Sequence, residues 1–492
     1  MKVSKYTGKF ATLNDAIFIL VALSFIFVFP QVITKSEILG CMLSSGAYML
    51  DHTTLSIPNI ILYTGLNQTW INENWLTDIL FTLIYRLGGL KLIVITCGIL
   101  IALVFTLIFN QMMQKLNNWP VNIALLSIGI VAGSYFVDAG SRLITYMLFF
   151  AYICLLDSIC KDGFKKNTVV IILITSILWA NINVNFLYGL LIIWLYMLAF
   201  YIRSKYHKNQ ELFLISKNFL LLFTGCLLVS FINPAGFKLH YMVFDYIFQG
   251  LYIYNGFILS PDFHLKYPFF FVELVILLLL FVAVFSGYRP ALQKIFITVI
   301  FLFITLYAAV NTMFLLIIVL PLISEVIANT EFNRQWPWLE KIKNWSKIQQ
   351  SFSRHTLSIL VAIILFMAGI FISTLEEKIV RLPTYPVKAV QHLSKNYPES
   401  KIFNPLGWGC YLHHYAGCRV FITERMFQPN HRTLYDYNMI INIYETYPEL
   451  LKAYDVDIVM IPETHGLSVA LNLDKNWNKI YQDTRTVLYK KE

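Results

Sequence analysis

From Asn14 to Thr374 the chain alternates apolar runs of near twenty residues with short polar interruptions, the pattern of helices that cross a bilayer. Eleven such runs stand at 14–33, 90–110, 120–137, 143–159, 167–182, 184–202, 217–233, 268–287, 294–308, 310–328 and 356–374. After Thr374 the apolar runs shorten, and the last 118 residues read as a water-soluble unit. One stretch fits neither pattern. In WINENWLTDILFTLIYRLGG (70–89), Leu76, Ile79, Leu80, Leu83, Ile84 and Leu87 share one helical stripe, with Thr77, Asp78, Thr82, Tyr85 and Arg86 opposite. Gly88-Gly89 ends the pattern. Such a helix, 74–87, spans about 21 Å, short of a hydrocarbon core of about 30 Å. It is expected to lie flat in the outer interface, leucines in lipid, Asp78 and Arg86 toward water.

Composition agrees: 58% of the 492 residues are hydrophobic and 13% charged, with a mean hydropathy of +0.63, which excludes an ordinary soluble domain. Charge then sets orientation. With the N-terminus inside, the segments 1–13, 111–119, 160–166, 203–217, 288–294 and 329–355 hold 18 Lys and Arg, against six (Lys35, Arg86, Lys91, Arg142, Lys238 and Lys266) in the opposite loops. That bias puts the loops 34–89 and 234–267 and the tail outside the cytoplasm. The tail carries 14 basic and 13 acidic residues, so the net charge of +10 belongs mostly to the inner loops and gives no reason to expect nucleic acid. The first run lacks an A-x-A cleavage site and is read as a retained anchor.

The tail predicts a small α/β unit. PVKAVQHLSKNY (386–397) suits a helix, SKIFN and CRVFIT short strands, and WGCYLHHY a helix. LYDYNMIINIYETYPELLKAYD reads as two helices broken near Pro448, VDIVMIP as a buried strand, and WNKIYQD with RTVLYKK as a closing hairpin. Cys41, Cys97, Cys154, Cys160 and Cys226 lie in or beside the apolar runs, where a thiol packs as a small apolar group. Cys410 and Cys418 sit in the tail, either bridged in an oxidising compartment or free. No CxxC, HExxH or other metal-ligand spacing occurs. Asp455-x-Asp457 precedes its strand and reads as a turn rather than a metal site, and His413-His414 reads as surface.

Several short motifs follow one another in order: ENWLTDILFTLIYRLGG, SRLITYMLF around Arg142, WANINVNFLYG (179–189), NPAG (233–236), WGCYL (408–412) and FITER (421–425). In this the chain resembles a bacterial group of GT-C-like polytopic glycosyltransferases. Its tail is also loosely similar to the external domain of oligosaccharyltransferase catalytic subunits. The resemblance implies an α-helical polytopic membrane protein of about 11 spans in residues 1–374, with a large first external loop at 34–89, and an extracytoplasmic α/β domain at 375–492. It implies a bacterial inner membrane location with a cytoplasmic N-terminus. It also implies inverting transfer of a sugar from a polyprenyl-phosphate donor to a periplasmic glycan, lipid or protein.

That chemistry needs a carboxylate to activate the acceptor hydroxyl and cations to stabilise charge on the departing phosphate. Glu37, Asp51 and Glu73 are the available acids of the first loop, Glu37 first because it follows the first run as the group's acid does. Arg142, in the outer turn DAGSR, is the leading phosphate-binding candidate, with Lys266 and His264 behind it. Asn181, Asn183, Trp408 and Tyr411 are the candidates for acceptor or sugar contact. Glu273, one turn inside an apolar run, is expected to face the bundle interior. No cofactor is required by these motifs, although a divalent metal is compatible with the resemblance.

The chain departs from the group's pattern at four points: the group's acid after the first run would fall near Ile38, with Glu37 the closest acid, Asn183 stands for a His, Thr423 for an Asp, and Glu73 is displaced by one residue. These departures keep open a GT-C-shaped protein that binds or assembles without catalysing. A transporter, the third reading, would need internal repeats, and none is evident in the sequence.

Overall fold

The structure, a computed structural model, describes residues 13–34, 36, 38–64, 71–248, 259–264, 267–330, 385–425 and 431–492. Among the described residues, the apolar part is built from helices. α1 (Leu13–Leu23) runs through a π-helical turn, Ser24–Val28, into α2 (Pro30–Thr34). There follow α3 (Leu39–Asp51), α4 (Trp75–Lys115), α5 (Trp119–Ser134), α6 (Ser141–Asp162), α7 (Lys166–Ile182), α8 (Phe186–His207) and α9 (Gln210–Val229). α10 (Phe237–Phe248), α11 (Phe269–Phe285), α12 (Leu292–Tyr307) and α13 (Thr312–Asn329) complete it. Among the described residues, five helices are long and apolar enough to cross a membrane, and five shorter apolar helices accompany them. The eleventh apolar run, 356–374, lies outside the described residues. Side-chain caps mark two of the starts: Asn118 accepts from the amide of Val121 ahead of α5, and Asn209 from Glu211 and Leu212 ahead of α9.

Contacts sort the loops into two faces. On one, Ala139 N donates to Ile33 O at 3.0 Å and Ala309 N to Leu259 O at 2.8 Å, and Asn181 Nδ2 donates to Ile232 O at 2.7 Å. On the other, Lys115 and Lys294 share the Glu325 carboxylate at 2.9 and 2.5 Å, and Ser324 donates to Asn122. The tail docks on the first face, where Leu62 bridges to Val420.

The tail carries α14 (Val387–Asn396), β1 (Lys401–Phe403), α15 (Gly409–Ala416), β2 (Arg419–Val420), α16 (His431–Ile441) and α17 (Tyr447–Ala453). It closes with β3 (Ile458–Pro462), α18 (Gly466–Leu473), β4 (Trp477–Gln482) and β5 (Thr486–Lys491). The sheet order is β2-β1-β3-β5-β4, parallel through β3 and antiparallel beyond. β3 is apolar at consecutive positions because both of its faces are covered. Val459 and Ile461 join Phe403, Phe421 and Tyr489 on one side, while Ile458 and Met460 join Ile402, Val420 and Leu488 on the other. The aspartates before β3 are structural. Asp455, at φ 50°, pairs with Lys401 Nζ at 2.7 Å, and Asp457 accepts from Lys401 N at 2.9 Å.

The helix of residues 75–87 forms, and Gly88-Gly89 breaks it from the rest of α4, Gly89 taking the left-handed φ of 62°. Its apolar stripe is outward, with Leu87 82% exposed, but its polar face is not in water. Asp78 is 0% exposed, and Thr77 and Thr82 are buried with it. The expectation for Asp78 is thus overturned, because α3 and the tail cover that face. Arg86 is exposed and pairs with Asp51 at 2.6 Å. The cysteine expectation is corrected too. Cys410 bonds to Cys41 rather than to Cys418, since α15 lies against α3, whereas Cys418 is buried in the tail core as a free thiol.

Candidate functional site

α3 is the adaptor between membrane helices and tail. A Cβ at Gly40 would fall 2.3 Å from the Cys410 carbonyl oxygen, and one at Gly46 would fall 2.3 Å from the Asp78 carbonyl oxygen. Those two glycines let α15 and α4 approach α3 backbone to backbone. The Cys41–Cys410 bond fixes the first of these contacts. At the start of α15 a Cβ on Gly409 would strike the Ile422 carbonyl oxygen at 2.1 Å. The chain leaving β2 therefore passes close beneath α15 and carries Thr423, Glu424 and Arg425 into full burial.

Arg425 is what that segment delivers. Its Nη2 donates to both Asp78 carboxylate oxygens at 2.7 Å, and the two side chains are 1% and 0% exposed. Nη1 reaches Ser45 and Asn72 at 3.4 and 3.5 Å, and Asn72 Nδ2 donates to Asp78 at 2.8 Å. A charge pair this deep stands only because each partner is hydrogen-bonded. The buried Glu73 lies within electrostatic reach of both Arg425 and Asp78, so one guanidinium faces two acids. Burial raises the Glu73 carboxyl above its ordinary range, against the pull of Arg425.

Further polar contacts extend this cluster across the loop face. Asn74 donates to Glu73 Oε1 at 3.1 Å, and Asn183 Nδ2 donates to Asn74 Oδ1 at 3.1 Å and to Ser141 Oγ at 2.6 Å. Asn181 accepts from the Trp75 indole at 3.0 Å. Ser141 adjoins Arg142, whose guanidinium bonds both oxygens of Asp138 at 3.0 Å. The same turn hangs on the end of the first run through Ala139 N to Ile33 O, with Gly140 against Ile38.

Arg142, Asn181, Asn183 and Glu73 are thus brought to one polar patch, next to Ile33 and Ile38. Glu37 itself and Lys266 lie outside the described residues. The others are elsewhere. Asp51 ends α3 in its exposed pair with Arg86. His264 is fully exposed beside Asp262. Trp408 is half-buried against the tail core. Glu273 is half-buried on α11. Sequence reasoning missed the Asp78–Arg425 pair and Asp138. The usable signal was an Arg closing the buried run VFITER (420–425) and an acid on a helix whose other face is already given to lipid.

Beside the patch, α3, α14, α15 and the start of the span in α4 enclose a cavity of about 420 Å³. Tyr411 lines it, stacked on Tyr385 at 4.4 Å and 9° and against Tyr415 at 4.6 Å. Among the described residues, no group of three or more His, Cys, Asp or Glu is arranged to hold a metal ion.

His414 joins the same junction, with Nδ1 3.1 Å from Ser44 Oγ and its ring edge-on to Tyr85. It is not the surface residue expected. Burial, with His413 next to it, pushes its pKa down to about 4. The folded group refuses a proton that the unfolded chain accepts below pH 6.5, so stability falls on acidification from 6.5 toward 4. The loss at pH 5 is about 2 kcal/mol before solvent screening. The thermal midpoint of the solubilised protein is expected to drop between pH 7 and pH 5, and His414→Gln to flatten that drop. An unchanged slope in the variant would remove His414 from the account.

No family model matches the chain, and no curated protein matches it. Its fold is similar to that of a solved structure, the Archaeoglobus fulgidus oligosaccharyltransferase tethered by a disulfide bond to an acceptor peptide containing the NVT sequon. The likeness covers 97% of this chain and 73% of that one, at a TM-score of 0.54 and 10% identity. What the likeness shows is the fold alone, which in this chain is a bundle of apolar helices with a small C-terminal sheet unit.

Proposed function

We propose that the chain is a GT-C-type membrane glycosyltransferase that takes a sugar from a polyprenyl-phosphate donor at the loop face. The observation that carries this reading is the polar patch. Distant positions (Ile33 and Ile38, and the segments 73–74, 138–142 and 181–183) converge beside a cavity roofed by the tail, on a fold like that of an enzyme of this class. In this reading Glu37 activates the acceptor hydroxyl, and Arg142, steadied by Asp138, meets the donor phosphate. The loop face is extracytoplasmic, as the Lys and Arg bias of the opposite loops and the Cys41–Cys410 bond both support. The membrane unit is 1–374, the external unit 375–492, and the helix 75–87 lies in the outer interface.

A second reading, a GT-C-shaped binding or assembly protein without catalysis, is favoured by the ion pairs that occupy Asp51 and Asp78. Complementation separates the two. In cells lacking the chain, the wild type should restore an envelope glycan that Glu37→Gln and Arg142→Ala fail to restore at equal expression. Restoration by both variants would leave only the binding role.

A further inference from the structure

The cavity between α3 and α14 has no part in the donor-side roles assigned above, yet it has the makings of a binding site. We propose that it holds the head and first chain units of an anionic amphiphile. On the function proposed above, on which only this last step rests, the acceptor is then a lipid-anchored molecule rather than a soluble peptide.

The volume, about 420 Å³, falls within the usual range of small-molecule sites. Its floor is aliphatic, built from Leu39, Leu43 and Leu90. Leu90 opens the span that follows the kink in α4, and Leu87 just before it is 82% exposed, so the floor continues the lipid-facing surface. An alkyl or isoprenoid chain can lie on such a floor. A peptide would leave its amide groups unpaired there.

Two polar features fix the other end. Ser36 is 4% exposed and its hydroxyl has no hydrogen-bond partner among the described residues, so it offers a buried polar contact to a head group. Lys395 stands on the exposed side of the lining and supplies a mobile point charge suited to phosphate or carboxylate. The tyrosine stack forms an aromatic wall beside them.

The test is native mass spectrometry of the purified full chain in dodecyl maltoside, titrated with phosphatidylglycerol, phosphatidylcholine and inorganic phosphate. Retention of one phosphatidylglycerol in preference to phosphatidylcholine is expected. Lys395→Glu should weaken it about tenfold, and Leu90→Trp, which fills the floor, should weaken it as well. Lys452→Glu, the same charge change on α17, should not. Equal retention of the two lipids, displacement by inorganic phosphate alone, or unchanged binding in both cavity variants would overturn the site. Lipid retention without any sugar transfer would instead count against the glycosyltransferase reading and leave the site standing.

Discussion

Arg425→Ala is expected to destabilise the protein by about 3–5 kcal/mol, the usual penalty for stranding a buried charge. Asp78 is 0% exposed and takes both of its strong bonds from that one guanidinium. Its remaining described partner is the Asn72 amide at 2.8 Å. Glu73 is buried within reach of the same pair, so removing the cation leaves two acids facing each other in a dry site. The loss should be local in origin, with the tail separating from the helix of residues 75–87 before the membrane bundle melts. Fluorescence-detected size exclusion after heating would show a midpoint many degrees below wild type, and limited proteolysis followed by reduction of the Cys41–Cys410 bond would yield the free tail early. The apolar pair Asp78→Leu with Arg425→Met should recover most of the stability, since replacing both partners removes the desolvation penalty along with the attraction. A single variant that melts like the wild type would mean that the pair does not hold the junction.

Reduction of the Cys41–Cys410 bond is the second large effect expected. The bond joins residues 369 apart and tethers the tail to α3 at the glycine contacts. Disulfides typically stabilise by about 2–4 kcal/mol, and here that stabilisation bears on the docked junction. Thiol labelling of the unfolded, unreduced chain should count five free cysteines, the number outside the bond, and seven after reduction, the full complement. Cys41→Ser with Cys410→Ser should lower the thermal midpoint. Seven reactive thiols without reductant would contradict the bond.

Much of the architecture is legible in the chain because it rests on local patterns. β3 is recognisable from an unbroken apolar run, the β4–β5 hairpin from alternation around a polar turn, and α14 from Pro386 ahead of an amphipathic stretch. The break at Gly88-Gly89 follows from residue chemistry. What escapes is anything set by partners far along the chain. Helical periodicity distinguishes the polar face of residues 75–87 from its apolar face, but it cannot distinguish water from a buried arginine 347 residues away. That is why Asp78 reads as solvated and proves to be the acid of the junction. For the same reason spacing alone brings Cys410 and Cys418 to mind, while the bond runs to Cys41. α18, eight residues with only Leu467, Ser468 and Leu471 buried, is too short to leave a periodic signal. Among the site residues, Arg142 and Asn183 are legible because each stands at a polar turn between apolar runs. Their convergence depends on the helix packing.

Glycosyl transfer is the claim on which the functional account turns, and the polyprenyl-phosphate pool reports it without knowledge of the sugar. In membranes producing the wild-type chain, mass spectrometry should follow polyprenyl-phosphate-linked sugar converting to free polyprenyl phosphate. Arg142→Ala should slow that conversion about a hundredfold at equal protein level. Equal conversion in membranes with the wild type, with the variant and without the chain would contradict the account.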